Sequence, residues 1–354
     1  MKGRLVHGGL IAALAVAVVS MPSGAQALDK VRVGWCTNVL TNGVVPFAVA
    51  TKLGWYRELG IEVEVVNFAG SSDCVRNVAT GEVLVAVPTV EPVAILRQTG
   101  VKTQVFYTAF RRNIFGLAVP ADSPIKTYED LKDKKIGVTS MASAGVVVAR
   151  SVAASVGLNP DRDIRILVSG QPAQSAILLK RHDIDAVSQW DVQYALMELA
   201  GVPMRTIADP ELDAFPANSF VALPDTIKSK RDILIRLARG YAMGTLYALR
   251  NPRAASDIFQ TVYPQVVPTG VDRTLALDQA TVLLKAVTPK MALESASAKW
   301  GESQFDVYQR YLDWLLKAGV LKERLDAHEI VTNDLVHEIN DRFDVKTVEA
   351  APTK

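Results

Sequence analysis

The order of two periodicities limits this chain more than any other feature. Segments that alternate apolar and polar residues, or run apolar for about five residues, are followed each time by a segment with a helical repeat. The first series begins with 31–35 (VRVGW), a strand, then 46–56 (PFAVATKLGWY), a helix. Next come 61–66 (IEVEVV), a helix opening after Ser72 and stopping at Gly81, a third strand over 83–87 (VLVAV) and a helix over 92–100. Strands that alternate with helices pair in parallel, because each crossover must return to the same edge of the sheet. An α/β sheet follows.

A second series starts later. Strands are expected at 134–139 (KKIGVT), 164–169 (IRILVS) and 184–189 (IDAVSQ), with helices at 145–157, 173–181 and 193–201. The two series match in one spacing. Gly70 to Glu91 and Gly170 to Asp191 both run through a loop, a helix and a strand to an acid, and both are separated by 21 residues. Identity between them is low, so the match is one of pattern. Two similar lobes are the simplest arrangement. They are linked twice: by 115–138, with a strand at its head and a helix expected to be capped by Thr127, and by the extended segment 218–227. Two crossings make a hinge. The amphipathic helices 230–251 and 305–319 are expected to pack on the first lobe.

Lys2 and Arg4 precede an apolar run over 10–19 and then Ala25-Gln26-Ala27. This is the layout of a secretory signal cleaved after Ala27; the run is too short to span a bilayer. Its removal takes Lys+Arg from 39 to 37, equal to the 37 Asp+Glu. A neutral chain has no basic excess for nucleic acid or an anionic membrane. The four histidines and two cysteines show no metal-site spacing, so no metal or cofactor is expected.

Several segments are similar to one protein family. They are 54–66 (GWYRELGIEVEVV), 70–83 (GSSDCVRNVATGEV), 121–138 (ADSPIKTYEDLKDKKIGV), 180–191 (KRHDIDAVSQWD) and 316–336. Together and in this order they resemble the periplasmic solute-binding proteins of ATP-driven importers, in the nitrate, sulfonate, taurine and thiamine-pyrimidine (NMT1/THI5-like) group. The resemblance implies two doubly wound α/β lobes joined by two crossover segments, of the type II periplasmic-binding-protein kind. Lobe 1 would comprise 28–114 and 219–354, including the C-terminal helices, and lobe 2 would comprise 115–218. The implied partners are a small-molecule solute and the membrane permease of an importer with its cytoplasmic ATPase. The binding protein itself would be a periplasmic monomer.

In open α/β sheets ligands lie beyond the carboxyl ends of the strands, and pockets favour domain interfaces. The strand ends offer Trp35, Asn38, Ser71, Ser72, Thr89 and Glu91 in the first lobe, and Ser140, Ser143, Trp190 and Asp191 in the second. The indoles suit a stacking wall, the hydroxyls suit helix caps that also donate to a solute, and the acids suit an amine. Arg111 and Arg112, just before the first crossing, could neutralise an anionic solute, but a solvated pair is the favoured reading. Cys36 and Cys74 follow neighbouring strands, so they either form a disulfide or remain two buried thiols. No histidine falls beside a strand-end serine or cysteine, which argues against nucleophilic catalysis. The alternatives are a periplasmic sensor that presents its solute to a receptor and a thiamine-pyrimidine synthase-like enzyme.

Overall fold

A computed structural model of the chain describes residues 27–353, together with 1 and 3. The expected signal segment lies outside the described residues.

Ten strands form two five-stranded sheets. In the first, β1 (Asp29–Trp35) pairs in parallel with β2 (Ile61–Asn67) over its full length, from Asp29 opposite Ile61 to Trp35 opposite Asn67. Its other edge takes β3 (Val85–Ala86), also parallel. β4 (Gln104–Thr108) lies at the far edge, and β10 (Ser219–Ala222) runs antiparallel between β3 and β4. The order is β2-β1-β3-β10-β4. The second sheet contains β5 (Phe115–Pro120), β6 (Lys134–Val138), β7 (Ile164–Val168), β8 (Ala186–Trp190) and β9 (Met204–Thr206), in the order β7-β6-β8-β5-β9. The two orders correspond strand for strand. In each sheet the antiparallel member, β10 or β5, is the first strand after a crossing from the other sheet. Every residue of β8 is buried, as its central place requires.

Helices cover both sheets. α1 (Val45–Lys52) carries Pro46 in its first turn, where the missing N–H costs nothing. α2 (Trp55–Glu58), α3 (Ser71–Ala79) and α4 (Val90–Arg97) complete the first series. α5 (Ala144–Ser155), α6 (Pro172–Lys180), α7 (Asp191–Leu199) and α8 (Pro210–Ala214) belong to the second. α9 (Pro224–Ser229), α10 (Arg231–Arg250) and α11 (Pro252–Val262) follow the return crossing, with α12 (Arg273–Val287) and α13 (Phe305–Lys317) beyond. α10 packs on α1 so closely that a Cβ on Gly244 would meet the Pro46 carbonyl oxygen at 2.1 Å. Phe47, Phe220 and Tyr241 meet there, with Phe47 and Tyr241 centroids 4.7 Å apart. The C-terminal helices therefore build largely on the first sheet, but two also lean on the second lobe: α12 on α7, and α13 through Tyr311 and Trp314 against Phe215.

Four local expectations change. The helix over 46–56 breaks at Gly54 into α1 and α2, and the segment 218–227 is extended only to Leu223, where α9 begins. The strand over 83–87 shortens to β3, two residues long. Thr127 caps no α-helix; a single 3-10 turn, Glu129–Leu131, stands there instead. The Asp130 carboxylate accepts from the Lys126 and Thr127 backbone N–H groups at 2.8 and 3.0 Å, so the chain is held as a turn before a helix can start.

Candidate functional site

The ends of β1, α3 and β8 converge between the sheets on a narrow gap with about 20 Å³ of free space. Trp35, Cys36, Thr37 and Ser71 line it from the first lobe, and Phe115 and Trp190 line it from the second. Ile114 and Asn218, from the two crossings, complete the lining. None of these side chains is charged. Both indoles are 3% exposed. Trp35 is oriented by a hydrogen bond from its Nε1 to Thr41 Oγ1 at 3.1 Å, and by Gly43, whose absent Cβ would lie 2.5 Å from the ring. Asn218 donates from Nδ2 to the Val87 carbonyl at 2.6 Å, while its Oδ1 is buried with no hydrogen-bond partner among the described residues. An unpaired buried acceptor is costly.

Cys36 and Cys74 are joined by a disulfide, with Cα atoms 5.7 Å apart. It ties the loop after β1 to the first turn of α3. Ser71 Oγ accepts from the Thr89 N–H at 3.2 Å, which ties α3 to the start of α4. The first-lobe half of the gap is thus cross-braced.

The other expected residues do different work. Ser140 Oγ donates across the lobes to the Ala69 carbonyl at 2.7 Å, and the Ser72 N–H reaches the Ala142 carbonyl at 3.4 Å. A Cβ on Gly70 would lie 2.3 Å from that same Ala142 oxygen. The glycine of this strand-to-helix junction therefore answers a close approach between lobes, and its extended φ of 169° places no demand on residue type. Ser143 caps α5, accepting from the Gly145 N–H at 3.2 Å. Asn38 is exposed and lies outside the gap lining, and the Thr89 side chain is buried.

The two acids separate. Glu91 is 1% exposed and accepts from the Tyr311 hydroxyl of α13 at 2.6 Å. Burial pushes its carboxyl above the ordinary range, and the neighbouring Thr89 and Tyr311 hydroxyls pull it back in part. Asp191, partly buried, opens α7 and donates its N–H to the Ile114 carbonyl at 3.1 Å. Burial pushes its carboxyl up to about 6, opposed by Lys290 and reinforced by Asp213. Neither acid lines the gap. Ile114, Phe115 and Asn218 do not belong to the expected set. In the sequence the crossings suggest a hinge, yet a hinge segment that passes between two facing strand-end sets also forms the floor of the space between them.

Among the described residues no group of histidine, cysteine or acidic side chains could hold a metal ion, and no helix is long and apolar enough to cross a membrane. No histidine lines the gap, and both cysteines are bonded to each other.

The topology is that of a two-lobed periplasmic-binding-protein fold. The chain belongs to the NMT1/THI5-like family, whose model matches residues 41–255. It is similar in structure to a protein of Bordetella bronchiseptica RB50, with a TM-score of 0.68, 22% identity, and coverage of 89% of this chain and 98% of that one. It is similar also to the alkanesulfonate-binding protein SsuA of Xanthomonas axonopodis pv. citri, solved bound to MOPS (TM-score 0.65, 16% identity, 86% and 99% covered). The periplasmic nitrate-binding protein NrtA of Synechocystis PCC 6803 shares the fold as well (TM-score 0.61, 14% identity, 92% and 92% covered). No curated protein sequence matches the chain.

Proposed function

We propose that this chain is the extracytoplasmic solute-binding component of an ATP-driven importer, exported to the periplasm with its signal cleaved after Ala27. Lobe 1 (28–114 with 219–354) and lobe 2 (115–218) close on a solute, and the closed form delivers it to a membrane permease with a cytoplasmic ATPase. The observation that carries this reading is the gap itself, with one buried indole from each sheet, hydroxyls at its edge and the crossings as its floor. The sulfonate- and nitrate-binding proteins that share the fold support the same role.

The lining narrows the solute. α3 begins at Ser71 and α7 directly after Trp190, so the positive ends of two helix dipoles lie beside the gap and favour an anionic or acceptor oxygen. Asn218 Oδ1 asks for a donor on the same molecule. A small zwitterion or nitrogen heterocycle, with sulfur or nitrogen in its polar head, meets both demands. The test is a thermal-shift screen with taurine, short alkanesulfonates and aminopyrimidines, followed by calorimetry. Trp35→Ala and Trp190→Ala should each weaken the best hit about tenfold or more, by loss of ring contact. A hit whose affinity survives both substitutions would remove the gap as its site.

A further inference from the structure

Three contacts join the loop after β2 to the loop after β6, one from each lobe. Ser140 Oγ donates to the Ala69 carbonyl at 2.7 Å, and the Ser72 N–H donates to the Ala142 carbonyl at 3.4 Å. Between them Gly70 lies against the Ala142–Ser143 peptide. A Cβ there would lie 2.8 Å from the Ser143 nitrogen and closer still to the Ala142 carbonyl carbon and oxygen. Both loops are stiff. Residues 140–143 close as a turn, with the Ser143 N–H on the Ser140 carbonyl at 3.1 Å, and Ser143 then caps α5. The Gly70 carbonyl accepts from the Cys74 N–H at 3.1 Å, and Cys74 is bonded to Cys36. The contact is also remote from the crossings. β2 lies three strands from β10 in its sheet, and β6 lies two strands from β5. At the usual strand spacing this is a lever of about 10–14 Å.

Every donor and acceptor in this contact belongs to the chain, so it acts with or without a solute. We infer that it is a latch: the loops 69–72 and 140–143 close the lobes by themselves, and the solute-free chain is mainly closed. A solute then enters through the open minority, and the latch adds to the solute's own contacts in holding the closed form. Gly70 is the residue that permits this. Its φ of 169° is extended backbone that alanine adopts equally well, and the three atoms nearest a Cβ are all backbone atoms of the other lobe. Backbone atoms held in a turn and a capped helix cannot swing aside as a side chain can. The loops must part by about 1 Å to admit a methyl group, and that takes both hydrogen bonds beyond bonding range. A single added methyl therefore opposes closure while leaving each lobe as it was.

The test is pulsed electron-spin resonance on the full chain, unfolded and refolded without reductant to strip any bound solute. Nitroxides on Glu62→Cys and Arg165→Cys, exposed positions on the β2 and β7 edges, read the separation of the lobes. The native cysteines are bonded to each other and take no label. The parent should show one dominant short distance. Gly70→Ala should shift the ratio of closed to open molecules toward open by about tenfold or more, as overpacking against fixed backbone does. Ser140→Ala, which removes one hydrogen bond, should shift it about fivefold. Gly116→Ala, a strand glycine with open space around its Cβ, should keep the parent distribution. The inference is overturned if the solute-free parent is mainly at the longer distance, or if Gly70→Ala and Ser140→Ala both keep the parent distribution. A shift in Gly116→Ala equal to that in Gly70→Ala overturns it too, because the change would then be a general loosening. If Gly70→Ala does not fold, Ser140→Ala decides alone. All of these readings are made without solute, so the importer reading stands or falls separately on the ligand screen.

Discussion

Glu91 and Asp191 begin as equivalents and finish in different roles. Each lies 21 residues beyond a glycine, past the third strand of its strand–helix series, at the start of the next helix. Their helices start one position out of step. α4 begins at Val90, so Glu91 is its second residue; α7 begins at Asp191 itself. One residue on an α-helix is a rotation of about 100°. Glu91 is thereby paired with Tyr311 of α13. Asp191 remains beside the crossings, bonded through its N–H to Ile114 and near Lys290 and Asp213. The lobes differ in bracing too, since the disulfide joins two segments of the first and the second has none among its described residues. Equal topology thus fixes where a residue sits along the chain path, while helix phase decides which neighbours it meets.

The disulfide gives this asymmetry its largest expected effect. Replacing both Cys36 and Cys74 with Ala opens a loop of 38 residues. On the chain-entropy account the loss is roughly 4 kcal/mol. Denaturant unfolding of the double variant against the oxidised parent measures it. If the first lobe is the braced one, hydrogen exchange should accelerate around β1 and α3 and hold steady around β6 and α5. Equal acceleration in both lobes would show that the bond supports the whole fold and would dissolve the contrast.

Glu91 gives the next largest effect. Glu91→Ala leaves the Tyr311 hydroxyl without its acceptor and opens a cavity beside the stacked Tyr311 and Phe215 rings. A loss of about 2–3 kcal/mol is expected from denaturant midpoints. Glu91→Gln keeps an acceptor for Tyr311 and removes the charge. Because burial raises the carboxyl's folded pKa above its ordinary 4.5, the wild type loses stability as the pH rises above that value. The Gln variant should therefore lose less stability as the pH is raised toward neutrality. A wild type and a variant with parallel pH profiles would mean that Glu91 is solvated after all.

Much of this arrangement is legible in the sequence, and the remainder fails for identifiable reasons. Strand and helix order follows from periodicity, which depends on near neighbours only. The gap's walls follow as well, because Trp35 and Trp190 sit where strands end. The role of Glu91 does not, since its partner Tyr311 is 220 residues away and helix phase depends on where the first turn closes. Asn218 is hidden for a similar reason. Its segment reads only as extended, and its place in the site arises when both crossings are brought under the strand tips. Gly70 could not be assigned either, because what crowds it is the backbone of the other lobe.

Asp191 carries the smallest and most discriminating effect. Its folded carboxyl is raised from 3.8 to about 6, chiefly by burial. A raised acid pKa means that the folded state holds its proton longer than the unfolded state does. The group's contribution therefore falls as the pH rises from about 4 to about 6 and is constant above that. Asp191→Asn should remove the decline, with a gain of about 1 kcal/mol at pH 7 and nothing at pH 4; partial exposure screens the charge and keeps the figure small. The neighbours provide the sharper test. Lys290 opposes the rise, so Lys290→Met should move the Asp191 titration midpoint above 6; Asp213 reinforces it, so Asp213→Asn should move the midpoint below. Carboxyl NMR titration reads both shifts directly. A midpoint near 3.8 that ignores both substitutions would place Asp191 in open solvent. Its difference from Glu91 would then be one of exposure alone, rather than of two acids turned by helix phase into two different buried settings.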